Sequence, residues 1–210
     1  MLRTEIERRI KARLEELSPF DEPTALVAIP TSDVKPVDSY ITESLVCACD
    51  DVLSTVPLHL VRQTVRDIED VDKTIEVHEG VGYVDIPPGF LRLHTVRFNG
   101  WARDVKSAIT PDSPLYPLQR NKYTRGGAEK PVVAVNDGRF EIYSVAEGDR
   151  CSLFRYIPMT CEGFGEIEDS IAEMVILRCA VLVLKTFSEF DKAKTLGEEL
   201  AVMMTSKALL

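Results

Sequence analysis

The chain has 210 residues, 45% of them hydrophobic and 28% charged, a globular balance that excludes collagen-like, mucin-like and wholly disordered polymers. Asp and Glu outnumber Lys and Arg by 34 to 25, a formal net charge of −9, whereas a general nucleic-acid binder carries the opposite sign because phosphate neutralisation supplies most of its affinity. No uncharged run approaches the roughly 20 residues of a membrane span, and the start MLRTEIERRIKARLEEL lacks the apolar region of a secretory signal, so the expectation is a soluble intracellular or virion protein with one core, with or without an insertion.

Residues 4–17 read as a helix, with Ile6, Ile10, Leu14 and Leu17 in one apolar stripe and Glu5/Arg9 and Glu7/Lys11 as i,i+4 pairs. Ser18-Pro19 stops it, and Pro19, Pro23, Pro30 and Pro36 mark residues 19–37 as an extended arm. A second helix covers about 39–56, capped by Asp38 or Ser39 and closed by Pro57. Its apolar positions, among them Leu45, Ala48 and Val52, make a stripe wide enough for a core.

Over about 73–98 the period falls to two. Ile75, Val77, Tyr83, Leu91 and Leu93 take strand positions, Gly80 and Gly82 break the first run, and Pro87-Pro88-Gly89 is a turn. Residues 102–130 read as a long irregular loop holding three prolines, Gly126-Gly127 and the basic Arg120, Lys122, Arg125 and Lys130; loops of this length inside a domain are often functional. Runs 132–135 and 140–145 flank Asn136-Asp137-Gly138, a hairpin signal, and a turn at Glu147-Gly148-Asp149 leads into 152–157. Together these three runs predict an antiparallel meander.

The last third returns to helix. Residues 166–187 contain MVILRCAVLVL, apolar nearly all round, with Val175 and Leu182 as core positions. Residues 191–205 form a final helix, and SKALL is expected as a loose tail. The fold expected is α+β: a helical bundle from both chain ends, residues 1–59 and 161–210, around a central antiparallel β insertion over 60–160.

Catalytic signatures are sparse. Cys47, Cys49, Cys151, Cys161 and Cys179 form no CxxC pair and read as buried small hydrophobes; His59, His78 and His94 have no zinc spacing. A cysteine-dependent hydrolase pairing Cys161 or Cys151 with His94 or His78 remains a minor alternative without a local signature. Gly126-Gly127 is followed by Ala-Glu rather than Lys-Ser/Thr, so it is no phosphate loop. Gly163 and Gly165 read as a flexible entry to the core helix, and Glu162, Glu166, Glu168, Asp169 and Glu173 as its solvated, dipole-favoured start rather than a metal site. No catalytic residue, metal or cofactor is nominated.

The interaction candidates are the basic set Arg120, Lys122 and Arg125 with Tyr123, in which a protein partner or a solvated loop is favoured over nucleic acid in so acidic a chain. Trp101 has two readings, packing at the base of the insertion or anchoring a subunit contact.

Residues 83–101, YVDIPPGFLRLHTVRFNGW, run from a proline turn into a Phe-Leu-Arg-Leu strand and close on Gly-Trp. This segment resembles one in the head-to-tail adaptor, or tail tubular ring, proteins of short-tailed bacteriophages. The stretch SYITESLVCACDDVLSTVP, with Glu43, Leu45 and Ala48 on its apolar/acidic face and a closing proline, is similar to the first core helix of ring proteins in crAss-like phages. The resemblance covers about residues 38–200 and rests on packing motifs. It implies a non-enzymatic virion protein of the neck or tail, assembled in the host cytoplasm as a ring, a dodecamer matching the portal protein above it, whose lumen passes DNA without specific binding. Another phage neck or tail binding module is the alternative.

Overall fold

The computed structural model describes residues 1–16, 37–161 and 164–208. In chain order the elements are α1 (Arg3–Glu16), α2 (Val37–Thr55), a 3-10 turn (Leu58–Leu60), β1 (Arg66–Asp67), α3 (Val71–Thr74), β2 (Glu76–His78), β3 (Val81–Asp85), β4 (Phe90–Phe98), α4 (Tyr116–Arg120), β5 (Val132–Asn136), β6 (Arg139–Tyr143), β7 (Cys151–Pro158), α5 (Asp169–Thr186) and α6 (Phe190–Ala208). The chain is α+β. It divides into a helical unit, residues 1–63 with 160–210, and a β unit, residues 64–159.

In the helical unit, α5 is the central element because it is apolar on every side: Ile171, Met174, Val175, Ile176, Leu177, Cys179 and Val183 are all buried. It packs against α1, α2 and α6. The stripe Ile6, Ile10 and Leu14 of α1, the set Ile41, Leu45, Ala48, Cys49, Val52 and Leu53 of α2, and Ala193, Leu196 and Leu200 of α6 complete the core. Burying each large aliphatic side chain contributes about 1.5–3 kcal/mol. Leu182, expected in the core, is only half-buried: the three packing helices do not fully enclose α5 at that position.

Several local expectations yield to tertiary partners. Glu5 pairs with Arg8 at 2.7 Å and Glu7 with Arg3 at 2.9 Å, because Arg9 reaches Glu173 of α5 at 2.6 Å and Lys11 reaches Asp38 of α2 at 3.2 Å. Asp38 and Ser39 are not caps; α2 begins at Val37 and Asp38 lies in its first turn. The remainder of the arm expected over 19–37 lies outside the described residues, as does Leu17. Helix α5 starts at Asp169, later than expected. Residues ahead of it run extended beside the chain start, with Leu2 bridged to Glu166 and the Arg3 amide donating to the Gly165 carbonyl at 2.9 Å. Of the tail expected over 206–210, Ser206, Lys207 and Ala208 belong to α6, with Lys207 Nζ donating to the Ser170 carbonyl at 2.7 Å, and Leu209 and Leu210 lie outside the described residues.

The β unit is a pair of antiparallel sheets, β1-β7-β4 and β2-β3-β6-β5. Alternation along the strands, reset in β4 by a register shift between Leu93 and Thr95, aims one face of both sheets at a shared core of Val84, Leu93, Val96, Phe98, Val133, Phe140, Ile142 and Phe154. The Phe140 ring meets Phe90 at 5.2 Å and Phe154 at 5.0 Å between centroids.

The hairpin β5–β6 turns at Asp137 and Gly138, both at positive φ (46° and 76°), the backbone that a two-residue primed turn requires. The third run does not complete a meander. β6 already has β5 on one edge and β3 on the other, from Val81↔Tyr143 to Asp85↔Arg139, so β7 crosses to the other sheet and pairs with β4 and β1. Gly82 does not break a strand either: it sits inside β3, where a Cβ would lie 2.6 Å from Ile75 Cδ1. The turn falls at Glu79-Gly80 instead.

Candidate interaction surface

The outer face of the four-stranded sheet carries Val81, Tyr83, Ala134, Glu141 and Tyr143, and the segment 102–130 is fastened across it. This segment was expected to be irregular, and its fastenings explain how it holds one shape. Val105 and Val96 exchange two backbone hydrogen bonds, of 2.8 and 2.9 Å. Ile109 extends the sheet, donating to the Val133 carbonyl and accepting from the Val135 amide, each at 2.9 Å. The short helix α4 then lays Tyr116 and Gln119, both buried, on the sheet.

A carboxylate holds the centre of this contact. Glu141 accepts from the Tyr143 hydroxyl at 2.5 Å, the Asn136 side-chain amide at 3.0 Å and the Tyr116 hydroxyl at 3.2 Å. Burial pulls the Glu141 carboxyl upward, but these three donors and the nearby Arg120 charge outweigh it and hold it below the usual carboxylate range. Burial and the same carboxylate push both tyrosine hydroxyls up, so they stay protonated and donate.

The return of the loop is equally fixed. Gln119 Oε1 accepts from the Gly126 amide at 2.9 Å, and Thr124 Oγ1 donates to the Leu118 carbonyl at 2.7 Å. Ser144 Oγ donates to the Gly126 carbonyl. A Cβ at Gly126 would stand 2.3 Å from the Lys130 carbonyl oxygen, so this close approach of two backbones admits only glycine. Arg125, expected at an interface, is turned inward. It donates to the Gln119 carbonyl at 2.9 Å and the Glu79 carbonyl at 2.6 Å, and its guanidinium lies 5.5 Å from the Tyr143 ring centroid. Its task is to clamp the loop.

The tip is different. Leu115, Leu118 and Tyr123 are 51%, 46% and 85% exposed. Leu115, the residue just before α4, and Leu118 within it are three residues apart, hence on one face. Arg120 and Lys122 are exposed beside them, and Lys122 Nζ lies 5.1 Å from the Tyr123 ring centroid. Large apolar side chains on a segment this well fastened cannot fold away from water, which makes this tip the candidate contact surface. Leu115 and Leu118 were not singled out from the sequence; their signal was a pair of leucines interleaved with Pro114 and Pro117 in an otherwise polar loop.

Trp101 does not belong to this surface. It is 4% exposed, packs 5.2 Å from the Phe98 ring, and donates through Nε1 to the Ser144 carbonyl at 3.0 Å. An indole enclosed in this way serves the core of the β unit and cannot anchor an exposed contact.

The remaining groups have separate structural duties. Glu168 accepts from the amides of Arg62 and Gln63, and Glu173 pairs with Arg9 and Arg13, so these two are engaged, whereas Glu166 and Asp169 are exposed at the helix start as expected. Glu162 and Gly163 lie outside the described residues. Among the described residues no cluster of His, Cys, Asp and Glu could hold a metal ion, and no helix is long and apolar enough to cross a membrane.

The cysteines are not uniformly buried: Cys49 and Cys179 are, whereas Cys47 and Cys161 are exposed and Cys151 is intermediate. Burial pushes the Cys49 and Cys179 thiols up to about 12 and Cys151 up to about 11, so each stays a thiol at neutral pH and is a poor nucleophile. Alkylation of the folded monomer with iodoacetamide at pH 7.5, read by peptide mass spectrometry, is therefore expected to label Cys47 and Cys161 first and to spare Cys49 and Cys179 until unfolding. Equal labelling of all five would contradict the packing of α2 on α5.

Compared with protein-family models and with curated proteins, the sequence has no significant match.

Proposed function

We propose that this chain is a structural subunit that assembles with copies of itself into a closed ring, and that the ring is a head–tail connector below a phage portal whose lumen passes DNA. The observation that carries the assembly part is the fastened loop tip, with Leu115, Leu118 and Tyr123 held in water beside Arg120 and Lys122. Ring closure needs unlike patches on the two sides of each subunit. The two units supply unlike chemistry: 12 Lys/Arg against 20 Asp/Glu in the helical unit, net −8, and 13 against 14 in the β unit, net −1.

The connector part leans on the resemblance of residues 83–101 and of α2. A net charge of −9 suits it, because a negatively charged wall does not retain the phosphate backbone. Another neck or tail module would use the same tip against a different partner. The cysteine-hydrolase reading through Cys151 gains less support, because burial keeps that thiol protonated.

Light scattering and native mass spectrometry, on the protein alone and with the virion's portal protein over a range of salt, test the proposal. The expected result is one discrete high-mass ring in at least one of these mixtures. A monomer that neither rings nor joins the portal under any condition would overturn it.

A further inference from the structure

We infer that α6 of one copy packs antiparallel on α6 of a second copy, in a two-fold dimer built on the outer face of that helix. This contact goes beyond the ring reading and does not depend on it: the loop tip belongs to the β unit and α6 to the helical unit. The inner face of α6 is already occupied, since Ala193, Leu196 and Leu200 are buried within their own unit. Phe190, Lys194, Glu198 and Val202, one residue in every four, run along the outer face, and all four are exposed. Phe190 and Val202, at the two ends of this row, are 64% and 70% exposed.

The first pointer to a second copy is Gly197. It lies inside α6, where only proline is less favourable than glycine. A Cβ there would meet nothing within 4 Å, so the chain's own packing does not require its absence. The close approach of another helix does. Phe190, Lys194, Gly197 and Ala201 follow one another at steps of four, three and four, the spacing of a helix–helix seam, and the two small residues in it let a second backbone come near.

The second pointer is charge. Glu199 pairs with Arg13, and Lys192 with Glu189, whereas the side chains of Lys194 and Glu198 make no ion pair or hydrogen bond among the described residues. Their order is self-complementary. With two α6 helices antiparallel and centred at position 196, Lys194 of each copy faces Glu198 of the other, and Phe190 of each faces Val202 of the other. A parallel pair would instead set lysine on lysine and glutamate on glutamate, so the charges select the direction. The row from 190 to 202 is about 18 Å long at the helical rise, and a crossing of about 20° keeps both of its ends in contact. One helix from each copy makes a small interface, so the dimer depends on concentration.

Charge exchange tests the contact. All chains carry Leu118→Ser/Tyr123→Ser, which strips the loop tip of its exposed apolar groups and leaves α6 to act alone, and circular dichroism first establishes that each is folded. Sedimentation equilibrium from micromolar to millimolar concentration is expected to show a monomer–dimer equilibrium. Lys194→Glu or Glu198→Lys should each weaken it about tenfold or more, because like charges then face each other. The two single variants mixed in equal amounts should associate again, and so should one chain carrying both substitutions, since each restores opposite charges across the contact. Gly197→Gln should weaken the dimer while leaving thermal unfolding of the monomer unchanged or raised. The inference fails if the tip-stripped chain stays monomeric at millimolar concentration, if its dimer is indifferent to both charge variants, or if neither the mixture nor the doubly substituted chain recovers association. Ring formation by the chain with its tip intact is read separately, so either conclusion can fall without the other.

Discussion

Replacing Trp101 with alanine is expected to destabilise the β unit by about 3–5 kcal/mol, the range for removing a large buried aromatic side chain. Two losses combine. The Phe98 and Trp101 rings, 5.2 Å apart, part, leaving a cavity under the crossing from β6 to β7. The Ser144 carbonyl also loses its indole donor at a residue held at φ 72°, a backbone that needs its neighbours to keep it in place. Amide hydrogen exchange at Phe140 and Ile142, inside β6, reads the β unit directly. The expected acceleration is roughly a hundred- to several thousand-fold, at about 1.4 kcal/mol per factor of ten. Trp101→Phe keeps most of the volume and drops only the hydrogen bond, so it should recover more than half of the loss. A change under about 0.5 kcal/mol for the alanine variant would mean that the indole does not support the core.

How far the sequence disclosed this arrangement follows from the range of each interaction. Helix α5 was legible because MVILRCAVLVL leaves no polar face, and a helix without one must be surrounded. The β5–β6 hairpin was legible because Asn-Asp-Gly encodes its own turn. The path of β7 was not. A strand's pattern says which face is buried but not which edge it joins, and that choice was made by β3, some 60 residues earlier in the chain, when it took the second edge of β6. Arg125 illustrates the same limit at the surface. Grouped with Arg120 and Lys122 by composition, it differs from them because the Gln119 and Glu79 carbonyls, brought close by folding, claim its guanidinium. Trp101 was legible as important, and its neighbours alone decided between core and contact.

Glu141→Gln is the second large effect expected, about 1.5–3 kcal/mol, the range for a hydrogen bond to a charged group. The amide keeps one acceptor for Tyr116 and Asn136, but presents a donor where Tyr143 now donates at 2.5 Å, so the charge-assisted bond is lost. The effect carries a pH signature. Because the folded carboxyl sits below its ordinary value, the wild-type side chain contributes its stability above the unfolded value of about 4.3, and loses it as pH falls through the lowered folded value. Urea unfolding followed by the fluorescence of Trp101, the sole tryptophan, should show a constant gap between wild type and variant at pH 6–8, shrinking as pH drops below about 4.3. A gap that stays unchanged down to pH 2 would mean that the charge of Glu141 plays no part. Since Tyr116 fastens α4 through this carboxylate, the variant should also loosen the tip that carries Leu115 and Leu118. If the tip joins copies, ring formation should weaken at neutral pH in a protein whose helical unit is untouched, whereas Trp101→Phe, which leaves Glu141 and its three donors in place, should assemble normally.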